Sequence, residues 1–312
     1  MITVSEERAV DFESTAQIAT EAFGSKDVTF SASRMKWLYE FAFGQGCAVV
    51  AAFDGDKKVG QIVMLHQEIY LEGEPVIATQ LIDLFVLPAY RSPTLVRRIY
   101  DEVARLCEAN RIRIVLTLPN EKSAPLNARL LKMRPFLLLA VRVGLSFGPP
   151  RRGRLQLSAA IKTMSRDDAI DRLSAFATPT SEDGPHWEAA TLFDRISDPT
   201  RDYAVHATRD LLLVSSSRKT RGINHVLLCG FFARPGAVVT SGDISTLIRA
   251  ACHLWKHRVF VYAGINNSLP RPPGVAIPAR YRQPILVQLR DVHSDKVELS
   301  FDRFQLIDSD FV

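Results

Sequence analysis

The stretch "LIDLFVLPAYRSPTLVRRIYDEVARL" runs from Leu81 to Leu106. It opens as an apolar strand interrupted by one acid, Asp83, and Pro88 ends that strand. Ser92 and Pro93 then read as the cap and first position of a helix. A serine hydroxyl satisfies an orphan amide there, and proline loses no hydrogen bond. Leu95, Val96, Ile99, Val103, Leu106 and Cys107 recur at helical spacing, so the helix has one buried face. A strand feeding a helix through a tight loop sets amides and the positive end of the helix dipole where an anion can sit. This loop contains no glycine, so Cβ atoms at Thr94 and Val96 narrow any such groove.

Around this stretch the first half alternates. Residues Glu13 to Phe23 and "RMKWLYEFAF" read as helices. "CAVVAAF" and "KVGQIVMLHQEIYL" are two strands joined at Asp54-Gly55-Asp56, a hairpin signal. "VIATQLIDLFV" is a third strand. "RIVLTLP", "APLNARLLKM" and "FLLLAVRVGLSF" continue as strand, helix and strand. "GPPRRGR" marks a boundary near residue 150, which predicts two domains over 1–150 and 151–312. The second half reads as a connecting helical stretch, "LQLSAAIKTMSRDDAIDRLSAF", then strands, the helix "DISTLIRAACHLWKHR", and further strands. Thr94-Leu95-Val96-Arg97 is matched by Thr246-Leu247-Ile248-Arg249 at an offset of 152, and strands end at Asn120 and Asn266 at an offset of 146. A shared element order around these matches predicts a tandem duplication. The fold class is α/β, built on mixed sheets.

Composition narrows the function. The 312 residues carry a net charge of +5, with 39 basic against 34 acidic side chains, spread rather than clustered. Such a surface gives no reason to expect nucleic acid. No apolar run is long enough for a bilayer, so no membrane is expected either. Four scattered cysteines without a CxxC pair predict neither a metal site nor a disulfide frame, and fit a cytoplasmic location. His253 and His257, four apart, read as helix-surface residues, and His66 as a satisfied core histidine.

The first half resembles the GNAT family of N-acyltransferases. The resemblance covers roughly residues 1–147. It is carried by Val86, Pro88, Tyr90 and Arg91 at the strand end and by Asn120 opening the next helix. It implies an acyl-CoA co-substrate, most simply acetyl-CoA. Its pyrophosphate would lie on the helix start at Arg91, Ser92, Thr94, Leu95 and Val96. Its pantetheine arm would run along Leu84, Phe85 and Val86, with Asn120 beside it. The chain departs from the family pattern at Thr94 and Val96, where small residues are usual, and at Asn127, where the family often has a tyrosine acid. The second half has lost the strand-end signature and resembles the degenerate second copy of tandem GNAT proteins. Its matching loop, "VVTSGDIST", has no basic residue and carries Asp243.

Amine acylation needs a base. Asp83 is the candidate, because an acid inside an apolar strand tends toward a raised pKa. Asn127 is the second catalytic candidate, by position. Asp308 and Asp310, two apart in an apolar tail, could share one face and draw a cationic amine, or form a solvated strand end. The expected activity is transfer of an acyl group from CoA to a small-molecule amine. Two other readings stay open: a ligand-binding scaffold on a decayed fold, and a FemAB-type transferase using another activated donor.

Overall fold

The computed structural model describes residues 1–24, 30–150, 153–177, 182–294 and 299–310. Along the first half come β1 (Ile2–Glu7), α1 (Phe12–Phe23), α2 (Ala32–Glu40), β2 (Cys47–Asp54), β3 (Lys57–Leu71), β4 (Glu74–Val86), α3 (Pro93–Ala109), β5 (Ile114–Thr117), α4 (Ser123–Leu131), β6 (Arg134–Leu139) and β7 (Arg142–Leu145). Then follow β8 (Leu157–Ala160), α5 (Arg166–Ser174), β9 (Gly184–Pro185), α6 (Ala189–Arg195), β10 (Tyr203–Ala207), β11 (Leu211–Thr220), β12 (Ile223–Ala233) and α7 (Ser241–Leu254). The chain closes with β13 (Val259–Tyr262), β14 (Gly264–Asn266), β15 (Val275–Ala276), β16 (Ile285–Asp291) and β17 (Arg303–Gln305).

Two compact units result, and both interleave along the sequence. The first takes residues 1–69, 75–137 and 286–299; the second takes 70–74, 138–285 and 300–312. The first sheet has the order β1-β2-β3-β4-β5-β16-β6, with β9 pairing β3. The second has the order β8-β10-β11-β12-β13-β7-β15. In each sheet the fourth and fifth strands pair in parallel and the next strand runs antiparallel. The second sheet therefore repeats the first, with one twist of connectivity. The strand beside the fifth comes from the other half of the chain: β16 in the first sheet, β7 in the second.

Three readings of the sequence are corrected here. "FLLLAVRVGLSF" is not one strand: it breaks at Ala140 and Val141 into β6 and β7, which enter different sheets. The "connecting helical stretch" begins with β8, the edge strand of the second sheet. The TLVR/TLIR match is one helical turn out of register. Ala78 pairs with Ile114 where Val226 pairs with Phe260, and the helix caps are Ser92 and Thr240. Strand to strand and cap to cap, the offset is thus 148, four residues short of 152. A 3.6-residue periodicity makes a one-turn slip nearly invisible to pattern matching. The offset from β5 to β13 is 146, which keeps Asn120 opposite Asn266.

Packing follows the periodicities. Helix α3 buries Leu95, Ile99, Tyr100, Val103, Leu106 and Cys107. In the second unit α7 packs Ile244, Leu247, Ile248 and Ala251 onto Val226, Leu228, Phe260 and Tyr262. Gly60 matters for position: a Cβ there would lie 2.8 Å from the Phe85 carbonyl oxygen, so glycine lets β3 run close beside the end of β4. No helix among the described residues is long and apolar enough to cross a membrane.

Candidate functional site

In the first unit β4 and β5 pair only from Ala78–Ile114 to Gln80–Leu116. Beyond that, β4 continues to Val86 while β5 ends at Thr117. The Thr117 hydroxyl still reaches the Leu81 carbonyl at 2.9 Å. Asp83 follows in a left-handed conformation, φ +48°. Aspartate tolerates that conformation better than most residues, yet it still stores strain. The kink falls where the two strands part.

Asp83 is half-buried, and its Oδ2 accepts a 2.7 Å hydrogen bond from the Tyr39 hydroxyl of α2. Gln61 Nε2 of β3 donates to the same hydroxyl at 3.0 Å. Gln61 Oε1 is buried with no partner among the described residues. Burial raises the Asp83 carboxyl above the ordinary carboxylate value, while the Tyr39 bond and the Arg34 charge pull it back. Tyr39 is itself raised well above the usual phenol value, first by burial and then by the Asp83 charge, so it stays a donor. Tyr39 and Gln61 escape the sequence reading because they sit inside runs that look like ordinary apolar helix and strand.

The loop residues have definite partners. Tyr90 donates to Asp54 Oδ2 at 3.2 Å. Arg91 Nε donates to the Val86 carbonyl at 3.0 Å and Nη2 to the Ala22 carbonyl at 2.5 Å, so its guanidinium ties the end of β4 to α1. The Ser92 hydroxyl caps the Leu95 amide at 3.2 Å, and the Val96 amide bonds the Ser92 carbonyl. Two of the three first-turn amides are therefore engaged within the helix. Ser92 and Thr94 are exposed, Val96 and Leu84 half-buried, and Leu95, Phe85 and Val86 buried. Asn120 Oδ1 accepts from the Lys122 and Ser123 amides, each at 2.9 Å, and so holds the turn that leads into α4.

Asn127 is buried rather than on the helix surface. Its Oδ1 accepts from the Tyr100 hydroxyl at 2.6 Å and its Nδ2 donates to Gln288 Oε1 at 3.3 Å. Both ends of its amide thus hold α4 to α3 and β16. His66 is not fully satisfied: its Nδ1 is buried without a partner among the described residues, and burial lowers its pKa. His253 and His257 do not share a helix face, because α7 ends at Leu254 and Lys256 is left-handed. The four cysteines are free thiols, and no metal-holding cluster occurs among the described residues.

The same place in the second unit is built differently. β12 and β13 pair from Val226–Phe260 to Leu228–Tyr262, and β12 runs on to Ala233. At the 148 offset, Phe231 stands where Asp83 stands. Gln305 lies against it: its Oε1 accepts from the Phe231 amide at 2.8 Å and its Nε2 donates to the Phe231 carbonyl at 3.0 Å. A side-chain amide thus occupies a strand edge as a peptide would. Asp308 is fully buried and not a solvated strand end; it accepts from Trp187 Nε1 and the Gln305 amide, each at 2.6 Å. Neither partner is a cation. Asp243 closes the start of α7 through a capping box with Thr240 and pairs with Arg154 at 3.5 Å. Arg151 and Arg152 of the same basic run lie outside the described residues.

Residues 4–125 match the family described as an acetyltransferase (GNAT) domain. No curated protein matches the chain. Among solved structures, a probable N-acyltransferase from Enterococcus faecalis V583 superposes with a TM-score of 0.65 at 11% identity, over 94% of this chain and 72% of that one. A GCN5-related N-acetyltransferase from Kribbella flavida gives 0.61 at 13% identity, over 93% and 71%. A tandem GNAT protein from the clavulanic acid biosynthesis pathway gives 0.56 at 10%, over 95% and 100%. Such identities speak for the fold. Residues 4–125 thus match the GNAT domain family, in a mixed α/β chain that shares its fold with tandem GNAT proteins.

Proposed function

We propose that the first unit transfers an acyl group, most simply acetyl, from CoA to a small-molecule amine, with Asp83 as the base. The observation that carries this is the half-buried carboxyl at the kink of β4, raised in pKa and oriented by Tyr39. A base pushed toward neutrality matches the task of taking a proton from an ammonium. The free amine then attacks the thioester carbonyl; the C–N bond forms, the C–S bond breaks, and the nitrogen's second proton passes to the thiolate. Tyr39 holds the carboxylate rather than giving up a proton. The start of α3 receives the pyrophosphate, with the Thr94 amide and the Ser92 and Thr94 hydroxyls as donors, and β4 near Leu84–Val86 receives the pantetheine arm. Arg91 contributes by fixing the loop. Asn120 and Asn127 support α4. The cytoplasmic location belongs to this reading as well.

One observation favours the scaffold reading instead: the Leu95 and Val96 amides are engaged and Arg91 bonds two carbonyls. Calorimetric titration with acetyl-CoA decides between them. Binding of one equivalent supports the transferase. No heat at millimolar acetyl-CoA, with no rise in melting temperature, supports the scaffold.

A further inference from the structure

On the second sheet, residues that face each other across strands share a side. Val226, Leu228, Phe260 and Tyr262 turn toward α7 and are buried there. The alternate residues turn the other way. Leu227 is opposite Val261, and Val261 is opposite Val143, a row across β12, β13 and β7. That row is roughly 10 Å wide at the usual strand spacing. All three side chains are half-buried rather than covered. They floor a cavity of about 400 Å³, within the range of small-molecule sites.

The rim of this cavity is cationic. Arg218, Arg221 and Arg282 line it, together with His225. None of the three arginines has a carboxylate within ion-pair distance among the described residues. Among the described residues Arg218 meets neutral groups: it donates to the Ser216 hydroxyl at 2.5 Å, the Ser217 carbonyl at 3.2 Å and the Tyr203 hydroxyl at 3.5 Å, and lies over the Tyr203 ring. His225 is lowered in pKa by burial first, then by the Arg218, His257 and Arg282 charges, against a backbone bond to Ile223. The charges that act on it among the described residues are all cationic. An apolar floor beside uncompensated guanidinium groups is complementary to a molecule with an apolar tail and a single anionic head.

We propose that this groove binds a medium-chain fatty carboxylate, its tail on the Leu227–Val261–Val143 row and its head at Arg218 and Arg282. The test is calorimetric titration of the full chain with decanoate, kept below its micelle concentration. One-to-one binding is expected, weakened at least about tenfold in Arg282→Glu, the effect of one charge-assisted hydrogen bond. Val261→Trp, which fills the floor, should abolish it, with circular dichroism confirming the fold. Arg282→Glu changes an exposed side chain, so it keeps the test open if Val261→Trp misfolds. Decanol and decyltrimethylammonium should bind at least tenfold more weakly than decanoate. The proposal is overturned if decanoate does not bind, if Arg282→Glu binds it as the parent does, or if the uncharged or cationic tail binds equally well. Preference for a short apolar peptide with a free C-terminus would also overturn it.

Discussion

The two parted strand pairs make an informative comparison. Both sheets let the fourth strand run past the fifth, and both thereby expose a strand edge. In the first unit the residue at the critical position is Asp83, kinked and hydrogen-bonded to Tyr39. In the second it is Phe231, whose amide and carbonyl are both taken by Gln305. An edge left without backbone partners must be satisfied by something. One unit leaves that to a visiting molecule in our reading; the other does it internally. The helix starts differ in the same sense. Helix α3 has no acid in its first turn, whereas α7 carries Asp243 in a capping box.

The largest expected effect tests the first half of this contrast. Asp83→Asn should lower turnover about 10²- to 10⁴-fold, the worth of a positioned base, while leaving acetyl-CoA affinity nearly unchanged. Asparagine also tolerates the left-handed backbone, so the fold should persist. The folded state holds the Asp83 proton more tightly than the unfolded chain does, because burial raises the pKa. Stability is therefore lost as pH rises through the window above the ordinary carboxylate value. Asp83→Asn should melt higher than the parent at neutral pH, with the gap closing on acidification. A parent-like rate would move Asp83 to a purely structural role.

Asp83 and Gln305 show what was legible beforehand. Each is a polar residue set in an apolar run, and that signal found Asp83. Gln305 is uncharged and stands beside Asp308 and Asp310, so nothing in the sequence sets it apart from an ordinary strand-face amide. The partners were not legible at all. Nothing in "RMKWLYEFAF" singles out Tyr39, since its hydroxyl finds Asp83 44 residues away through the fold. Burial of Asn127 also depends on a distant strand, through Gln288 161 residues on. Local pattern gave the helices and most strands. It could not give which sheet β7 and β16 would join, because each is equally apolar wherever it pairs.

The next effect is on stability. Gln305→Ala would leave the Phe231 amide buried without its partner, at about 1–3 kcal/mol, and the Phe231 carbonyl with only the 3.4 Å bond from Asn266 Nδ2. Urea unfolding should show the loss. A change under 0.5 kcal/mol, the scale of an ordinary surface substitution, would mean that the second edge is satisfied in some other way.

A smaller effect sharpens the role of Tyr39. Tyr39→Phe removes a bond that lowers the Asp83 pKa, so the acidic limb of the pH–rate profile should move to higher pH. The bond is worth about 0.5–1.5 kcal/mol, so the limb should shift by less than about one pH unit. An unmoved limb would detach Tyr39 from the base.

The smallest effect is a control. Thr246 is buried, its hydroxyl bonded to the Gly242 carbonyl, so Thr246→Glu would disturb the core rather than probe an anion site. Ser241 is exposed at the first position of α7 and suits the purpose. Ser241→Glu should leave acetyl-CoA binding unchanged. Arg91→Glu should weaken it and also lower stability, since Arg91 bonds Val86 and Ala22. Sensitivity at Ser241 would place a second cofactor site on α7.

The exchange of β7 and β16 has a consequence for the birth of the protein. A ribosome that has finished residue 137 has made every other piece of the first unit, yet β16 lies at Ile285–Asp291. At about 5–20 residues per second, the gap lasts on the order of ten seconds. During that time β5 and β6 wait with open edges, the kind of surface on which chains aggregate or swap. Translation itself, through this delay, sets when the first sheet can close, and a chain released near residue 150 would never close it.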